Sequence, residues 1–189
     1  MTGLAVDADQ IASFVNALFR HASPGQMVAL RSFVEGESRP FRITVAELGD
    51  AGLEPVIKAA CCLAQSAADA DSPTVFCPPV AGFANFEDPW RAREKDLKEA
   101  FALSVECDQR PFGARGLLEE LLGPATVVVA SGEEWTNPIT GDIEPKLHLH
   151  WRLSRPAAGD HLAVLKEALL RAVAKSASGA APWWRRRAA

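Results

Sequence analysis

The sequence predicts an α+β fold, a mostly antiparallel sheet flanked by helices. Segments with apolar residues at helical spacing are interspersed with short segments rich in β-branched and aromatic residues, and Gly or Pro bounds most of them. The first two predicted strands are separated only by a Gly- and Pro-containing turn, which indicates an antiparallel hairpin. With 189 residues, 48% of them hydrophobic, the chain is long enough for one domain with a real core.

Local patterns predict each element of the N-terminal half. Apolar residues that would line one helical face predict two helices, the first ended by Pro24 and Gly25 and the second rich in alanine. Apolar segments that end at turn residues predict the strands. In chain order the predicted elements are helix 7–22, strand 27–33, strand 41–44, helix 53–70 and strand 74–77.

The C-terminal half continues the alternation. A charged segment, 91–100, is predicted as a helix that leads into an acidic strand ending at Asp108. The segment 125–132 is the clearest buried strand in the chain, and 133–145 reads as an extended turn or hairpin excursion. The remaining predicted elements are helix 114–122, strand 146–153 and helix 161–175.

Composition limits the classes of protein that fit. No apolar run approaches the roughly 20 residues needed to cross a bilayer, and the N-terminus does not resemble a signal peptide. We therefore expect a soluble, cytoplasmic protein with no membrane partner. The net charge of −4 gives no global attraction to nucleic acid, so such binding would depend on local basic clusters or bridging cations.

The four cysteines, Cys61, Cys62, Cys77 and Cys107, have no Cys-x-x-Cys spacing. A disulfide framework or a zinc ribbon is therefore not expected, and the cysteines are predicted to be core residues.

Two short segments carry the strongest chemical signal. Glu106 and Asp108 are one residue apart at the end of an apolar segment, and His148 and His150 have the same spacing some forty residues later. If both segments are strands, alternation sends each pair to one face. Paired carboxylates bind divalent cations that hold nucleotide phosphates, and a nearby histidine can donate to a phosphate. The alternative is that the two acids are solvated strand-end residues.

Two further residues could contact phosphate. Lys146 shares the strand face of His148 and His150, which could place its charge near a triphosphate, although a solvated strand-end lysine is equally compatible. Ser131 precedes Gly132 at the end of an apolar strand, where the backbone can approach a phosphate closely, or where the chain simply turns.

The sequence lacks the motifs that mark several classes of enzyme. Neither Gly-x-x-x-x-Gly-Lys nor Gly-x-Gly-x-x-Gly occurs, so an ordinary ATPase or dehydrogenase is not expected, and the Gly-x-Ser-x-Gly elbow of hydrolases is missing. A His-hydrophobic-His strand also marks rolling-circle initiators and relaxases, but these cleave DNA with a tyrosine and this chain has none.

The chain resembles the archaeo-eukaryotic primase superfamily, in particular the primase domains of plasmid replication proteins and of phage or prophage primase-helicase proteins. The matching segments are 103–108 for the acidic first motif, 126–132 for the strand with Ser-Gly, and 147–151 for the histidine motif. The resemblance implies a primase-polymerase, RRM-like catalytic core within residues 1–175. It implies Mg2+ or Mn2+ as cofactor, with single-stranded DNA template, nucleoside triphosphates and a separate helicase as partners.

The resemblance also assigns roles to individual residues. Glu106 and Asp108 would hold the metal and, with His148, form the catalytic group. Ser131, Lys146, His148 and His150 would contact the nucleotide. The reaction implied is template-directed primer synthesis in plasmid or phage replication.

The chain departs from that family in two places. Many relatives carry aspartate where Glu106 stands, and no third acidic motif is recognisable after Lys175. The alternatives are a catalytically degenerate module that binds single-stranded nucleic acid and a metal-dependent nuclease.

Residues 176–189 are predicted to be a flexible tail. The segment is low in complexity and then aromatic and basic, and residues 183–187 could stack on bases and pair with phosphates. A frayed terminus without a role is the alternative.

Overall fold

The structure, a computed structural model, describes residues 4–50, 52–77, 80–84, 92, 96–175 and 181–182. It has the predicted α+β class, with antiparallel strands flanked by helices. The described helices are α1 (Ala8–Leu18), α2 (Glu54–Ala68), α3 (Pro111–Leu122) and α4 (Gly159–Lys175). The described strands are β1 (Gln26–Val34), β2 (Arg42–Leu48), β3 (Thr74–Cys77), β4 (Ala81–Phe83), β5 (Leu97–Cys107), β6 (Val127–Thr136), β7 (Ile143–Ala157) and β8 (Ala181–Pro182). None of the described helices has the length and apolar character needed to span a membrane.

The chain divides into two compact units. The first comprises Met1–Phe101 and Ser154–Ala158, and the second comprises Ala102–Leu153 and Gly159–Ala189. All the site residues predicted from the sequence belong to the second unit.

In the first unit, β1 is the strand around which the others assemble. It pairs antiparallel with β2 in the predicted hairpin, and with β3 and β4 along its other edge. Helix α1 begins at Asp7, whose carboxylate accepts a hydrogen bond from the backbone N–H of Gln10 at 3.0 Å. The helix buries Val15 and Leu18, the face that the apolar spacing predicted.

The helix predicted for residues 91–100 is wrong over its last part. Leu97 begins strand β5, and β4 pairs with this strand through Ala81↔Ala100 and Gly82↔Glu99. Lys, Glu and Ala are good helix formers locally, but pairing with another strand outweighs that preference. Residues 91 and 93–95 lie outside the described residues.

In the second unit, a hydrophobic cluster lies between the strands and the two helices α3 and α4. Alternate residues of β5 and β7 enter this cluster, and the residues between them turn to the opposite face. The buried members of the cluster are Val105, Cys107, Ala114, Leu118, Leu147, Leu149, Trp151, Leu169 and Ala172.

Strand β6 differs from the buried strand predicted for 125–132. It pairs antiparallel with β7, continues to Thr136, and is half-buried only in its first residues and mostly exposed beyond them. It stands last in the strand order, where a strand has one neighbour and less cover. The predicted excursion 133–145 is mostly strand, with a turn in which Asn137 Oδ1 accepts a hydrogen bond from the backbone N–H of Ile139.

The cysteines are not all core residues. Cys107 is buried, Cys61 is partly buried and Cys62 is exposed, because Cys62 lies off the buried face of α2. The prediction is therefore wrong for Cys62, and the side chain of Cys77 lies outside the described part of the chain.

Gly82 packs so tightly that a methyl group has no room there. A Cβ at this position would lie 2.0 Å from Gln26 Oε1 and 2.9 Å from Phe101 Cζ, and both of those side chains are buried. We expect Gly82→Ala to lower the free energy of unfolding by about 1–3 kcal/mol, because neighbouring core side chains must shift. Urea unfolding measures this loss.

Gly116→Ala in α3 is the matched control. A Cβ at Gly116 meets nothing within 4 Å, so the substitution should be neutral or stabilising by up to about 1 kcal/mol. A Gly82→Ala protein as stable as the wild type would contradict the packing argument.

Candidate active site

Glu106 and His148 face each other on neighbouring strands. Val105 on β5 and Leu149 on β7 are buried in the core cluster, so alternation turns Glu106 and His148 to the opposite face. His148 Nε2 lies 3.9 Å from Glu106 Oε1, and the side chains are 32% and 22% exposed, respectively. The acidic strand and the histidine strand therefore share one face that ligands can reach.

A second polar pair lies beside the first on the same face. Ser104 Oγ and His150 Nδ1 are 2.7 Å apart, within hydrogen-bond distance, and both residues are buried. Between this pair and the pair of Glu106 and His148, the residue number rises by two on β5 and falls by two on β7. This is the pattern of antiparallel neighbouring strands. Sequence reasoning missed Ser104, and its only signal was its position two residues before Glu106.

Burial favours the uncharged form of both histidines, compared with the same side chains in water. It lowers the pKa of His148, while the carboxylates of Glu106 and Glu133 act in the opposite direction. Burial, followed by the neighbouring His148, lowers the pKa of His150 to about 4. Burial, followed by the charge of Glu106, raises the pKa of Cys107 to about 12, so this thiol stays protonated at neutral pH and is a poor nucleophile.

Lys146 forms an ion pair that the sequence did not predict. It lies on the face of His148, as expected, and its ammonium donates a hydrogen bond to Glu133 Oε2. Glu133 reaches Lys146 from a bulge between Ala130 and Glu134, where the register of β6 against β7 shifts. The sequence contains no signal for this bulge beyond Gly132, which has φ = +88°.

The other predicted site residues lie at the margins of this face. Asp108 directly follows the last residue of β5 and is half-buried, and Ser131 is exposed on the bulge of β6. Strand β8 pairs with β5 at Glu106↔Ala181. The rest of the predicted tail, 176–180 and 183–189, lies outside the described residues.

Helix α3 begins close to the end of β5. Arg110 is its N-cap and has φ = +48°, a left-handed conformation that is unfavourable for a residue with a Cβ. Glu144 on β7 accepts a hydrogen bond from the backbone N–H of Phe112 at 2.9 Å. A carboxylate thus satisfies one of the N–H groups at the start of this helix, which have no partner within the helix. The sequence offered no signal for either residue, because both depend on how β7 lies beside the end of β5.

Side chains that can ligate a metal do not cluster in the described part of the chain. Among those residues, no group of three or more histidine, cysteine, aspartate and glutamate side chains is arranged to hold a metal ion. Glu106 and Asp108 therefore belong to no such group of three among the described residues.

No protein-family model matches this chain, and neither a curated protein nor a solved structure is significantly similar to it.

Acid should destabilise the protein through His150. Its pKa is about 4 in the folded protein, against an ordinary value of 6.5, so between these pH values the unfolded chain binds a proton that the folded chain does not. Stability that is present above pH 6.5 is therefore lost as the pH falls towards 4, by up to about 3 kcal/mol. Urea unfolding across this range measures the loss.

His150→Asn should show a shallower loss of stability on acidification, because its amide can still bond Ser104 but does not titrate. The exposed His161→Asn is the matched control and should keep the wild-type pH dependence. Equal pH dependence in the wild type and His150→Asn would contradict this account.

Proposed function

We propose that this chain is the core of a DNA primase-type nucleotidyltransferase, which synthesises primers on a single-stranded DNA template in plasmid or phage replication. The observation that carries the proposal is the face shared by Glu106 and His148, whose nearest side-chain atoms are 3.9 Å apart. A carboxylate beside an imidazole suits phosphoryl transfer, because that chemistry depends on positioning and charge stabilisation. The resemblance of the three motif segments to primases supports the same reaction.

Glu106 and Asp108 are the residues that would hold Mg2+ or Mn2+. Mg2+ usually takes one or two protein carboxylates and completes its coordination with water and substrate phosphates. Two acids at the end of one strand fit this mode without a third protein ligand. An ion held there would supply positive charge to the phosphates and would lower the pKa of the attacking 3′-hydroxyl.

The protein's own groups bind and orient the nucleotide. His148, which is partly exposed, donates a hydrogen bond to a phosphate oxygen, and Lys146 supplies a positive charge to the same triphosphate. Ser131, exposed on the bulge, offers a hydroxyl donor to these phosphates. His150 is 5% exposed and hydrogen-bonded to Ser104, so its proposed contribution is to hold β7 against β5 in the register that presents His148.

Template and partners follow from the same proposal. The partners are single-stranded DNA, nucleoside triphosphates and a separate helicase. Because the net charge is −4, template contacts must come from local cations or bridging metal.

Nucleotide incorporation on single-stranded DNA tests the proposal. Glu106→Ala and His148→Ala should each lower incorporation of labelled nucleotide in Mn2+ or Mg2+ by at least about 100-fold, because each removes stabilisation of the transferred phosphate. Chelation of the divalent cation should have the same effect.

The matched controls are the exposed residues Glu120 and His161. Glu120→Ala and His161→Ala make the same chemical changes away from the site and should incorporate nucleotide like the wild type. Wild-type incorporation by Glu106→Ala or by His148→Ala would refute the assignment.

One observation favours a second candidate, a catalytically degenerate module that binds single-stranded nucleic acid. Among the described residues no third metal ligand accompanies Glu106 and Asp108. This candidate predicts template binding without incorporation, with affinity that falls steeply as salt is added. Fluorescence anisotropy of a labelled oligonucleotide across a salt series measures the binding, and incorporation by the wild type under the same conditions would exclude the candidate.

A further inference from the structure

The ammonium group of Lys146 lies on the face where the nucleotide is proposed to bind, and it already has a carboxylate partner within the protein. Lys146 donates a hydrogen bond to Glu133. Lys146 and His148 are two residues apart on one face of β7. The carboxylate of Glu133 therefore engages one of the two groups that the proposed function assigns to substrate phosphates, next to the other on the same strand face.

The contact between Glu133 and Lys146 is open to solvent on the side of Glu133, while Lys146 is partly covered. The side chain of Glu133 is 57% exposed and that of Lys146 is 23% exposed. An ion pair this exposed contributes little to folding stability, because water screens it. It can therefore be exchanged for another anion without disturbing the core.

The local backbone explains how Glu133 reaches this position. Between the pairs Ala130↔Leu147 and Glu134↔Pro145, three residues of β6 stand opposite Lys146 alone. Bulges of this kind re-aim side chains and are common beside active sites. Without the extra residues, the register would place Ser131 opposite Lys146.

We propose that Glu133 is an internal competitor for a phosphate subsite formed by Lys146 and His148. Its carboxylate holds the place of a phosphate oxygen until a polyphosphate displaces it. A tethered carboxylate acts at a high effective concentration, so weak anions stay excluded, whereas a polyphosphate brings several charges to the same cation. The inference rests on the proposed function for the identification of the ligand as a nucleoside triphosphate, but inorganic triphosphate tests the subsite directly.

Calorimetric titration of the full chain with inorganic triphosphate, at low salt and without divalent metal, tests this inference. Glu133→Gln should bind triphosphate about two- to five-fold more tightly than the wild type, the range expected from an exposed ion pair. Glu134→Gln is the matched control, since it removes the same charge from the next residue of the strand, which is also exposed. The gain should disappear when Glu133→Gln is made in a Lys146→Gln background.

Three results would overturn the inference. Equal gains in Glu133→Gln and Glu134→Gln would show a general charge effect. Weaker binding by Glu133→Gln would show that the carboxylate orients Lys146 for phosphate. Absence of triphosphate binding in the wild type and in both single variants would show that the subsite does not exist.

The inference and the proposed function can fail separately. A chain that incorporates no nucleotide but shows the gain specific to Glu133 keeps the phosphate subsite and loses the transferase reaction. A chain that incorporates nucleotide but gains equally from Glu133→Gln and Glu134→Gln keeps the reaction and loses the internal competitor.

Discussion

The alignment of β5 with β7 is the constraint on which the candidate site depends. Ser104 meets His150 and Glu106 meets His148 in the same antiparallel register. A slip of one residue in either strand would turn its polar side chains into the core and its apolar ones to the opposite face. Burial of an unpaired carboxylate or imidazole costs several kcal/mol, so the hydrophobic cluster on one face fixes the chemistry on the other.

The two polar pairs on this face differ in depth. Ser104 and His150 are 4% and 5% exposed, whereas the side chains of Glu106 and His148 are 22% and 32% exposed. The outer pair is accessible from solvent, while the inner pair is shielded from water and joined by a 2.7 Å contact. Because the pKa of His150 is about 4, the inner pair remains uncharged at neutral pH. It would therefore repel neither a metal cation nor a phosphate. The inner pair is therefore suited to hold the two strands in register, and the outer pair is the one to which the proposed function assigns the chemistry.

The period of two along a strand was enough to predict which residues share a face, and it placed Lys146, His148 and His150 together. It could not predict which residue of β5 faces which residue of β7, so the partner of His150 was missed. Glu133 was missed for another reason, because it reaches Lys146 only through a bulge that a regular ladder lacks. The helix wrongly predicted at 91–100 fails because strand pairing is a non-local interaction and helix propensity is a local one.

The interleaving of charges on this face bears on how a metal and a polyphosphate could bind together. Carboxylates alone would repel phosphates, and cations alone would repel a divalent metal. Here the carboxylate of Glu133 is bonded to the ammonium of Lys146, well within the roughly 8–10 Å beyond which salt screens exposed charges. Glu106 lies 3.9 Å from the imidazole of His148, whose pKa is lowered by burial. In the proposed function, Glu106 and Asp108 would hold a metal that offsets carboxylate charge near the phosphates, and a phosphate bound at Lys146 would release Glu133. On that proposal the metal and the polyphosphate would each favour binding of the other, as a metal-triphosphate substrate requires.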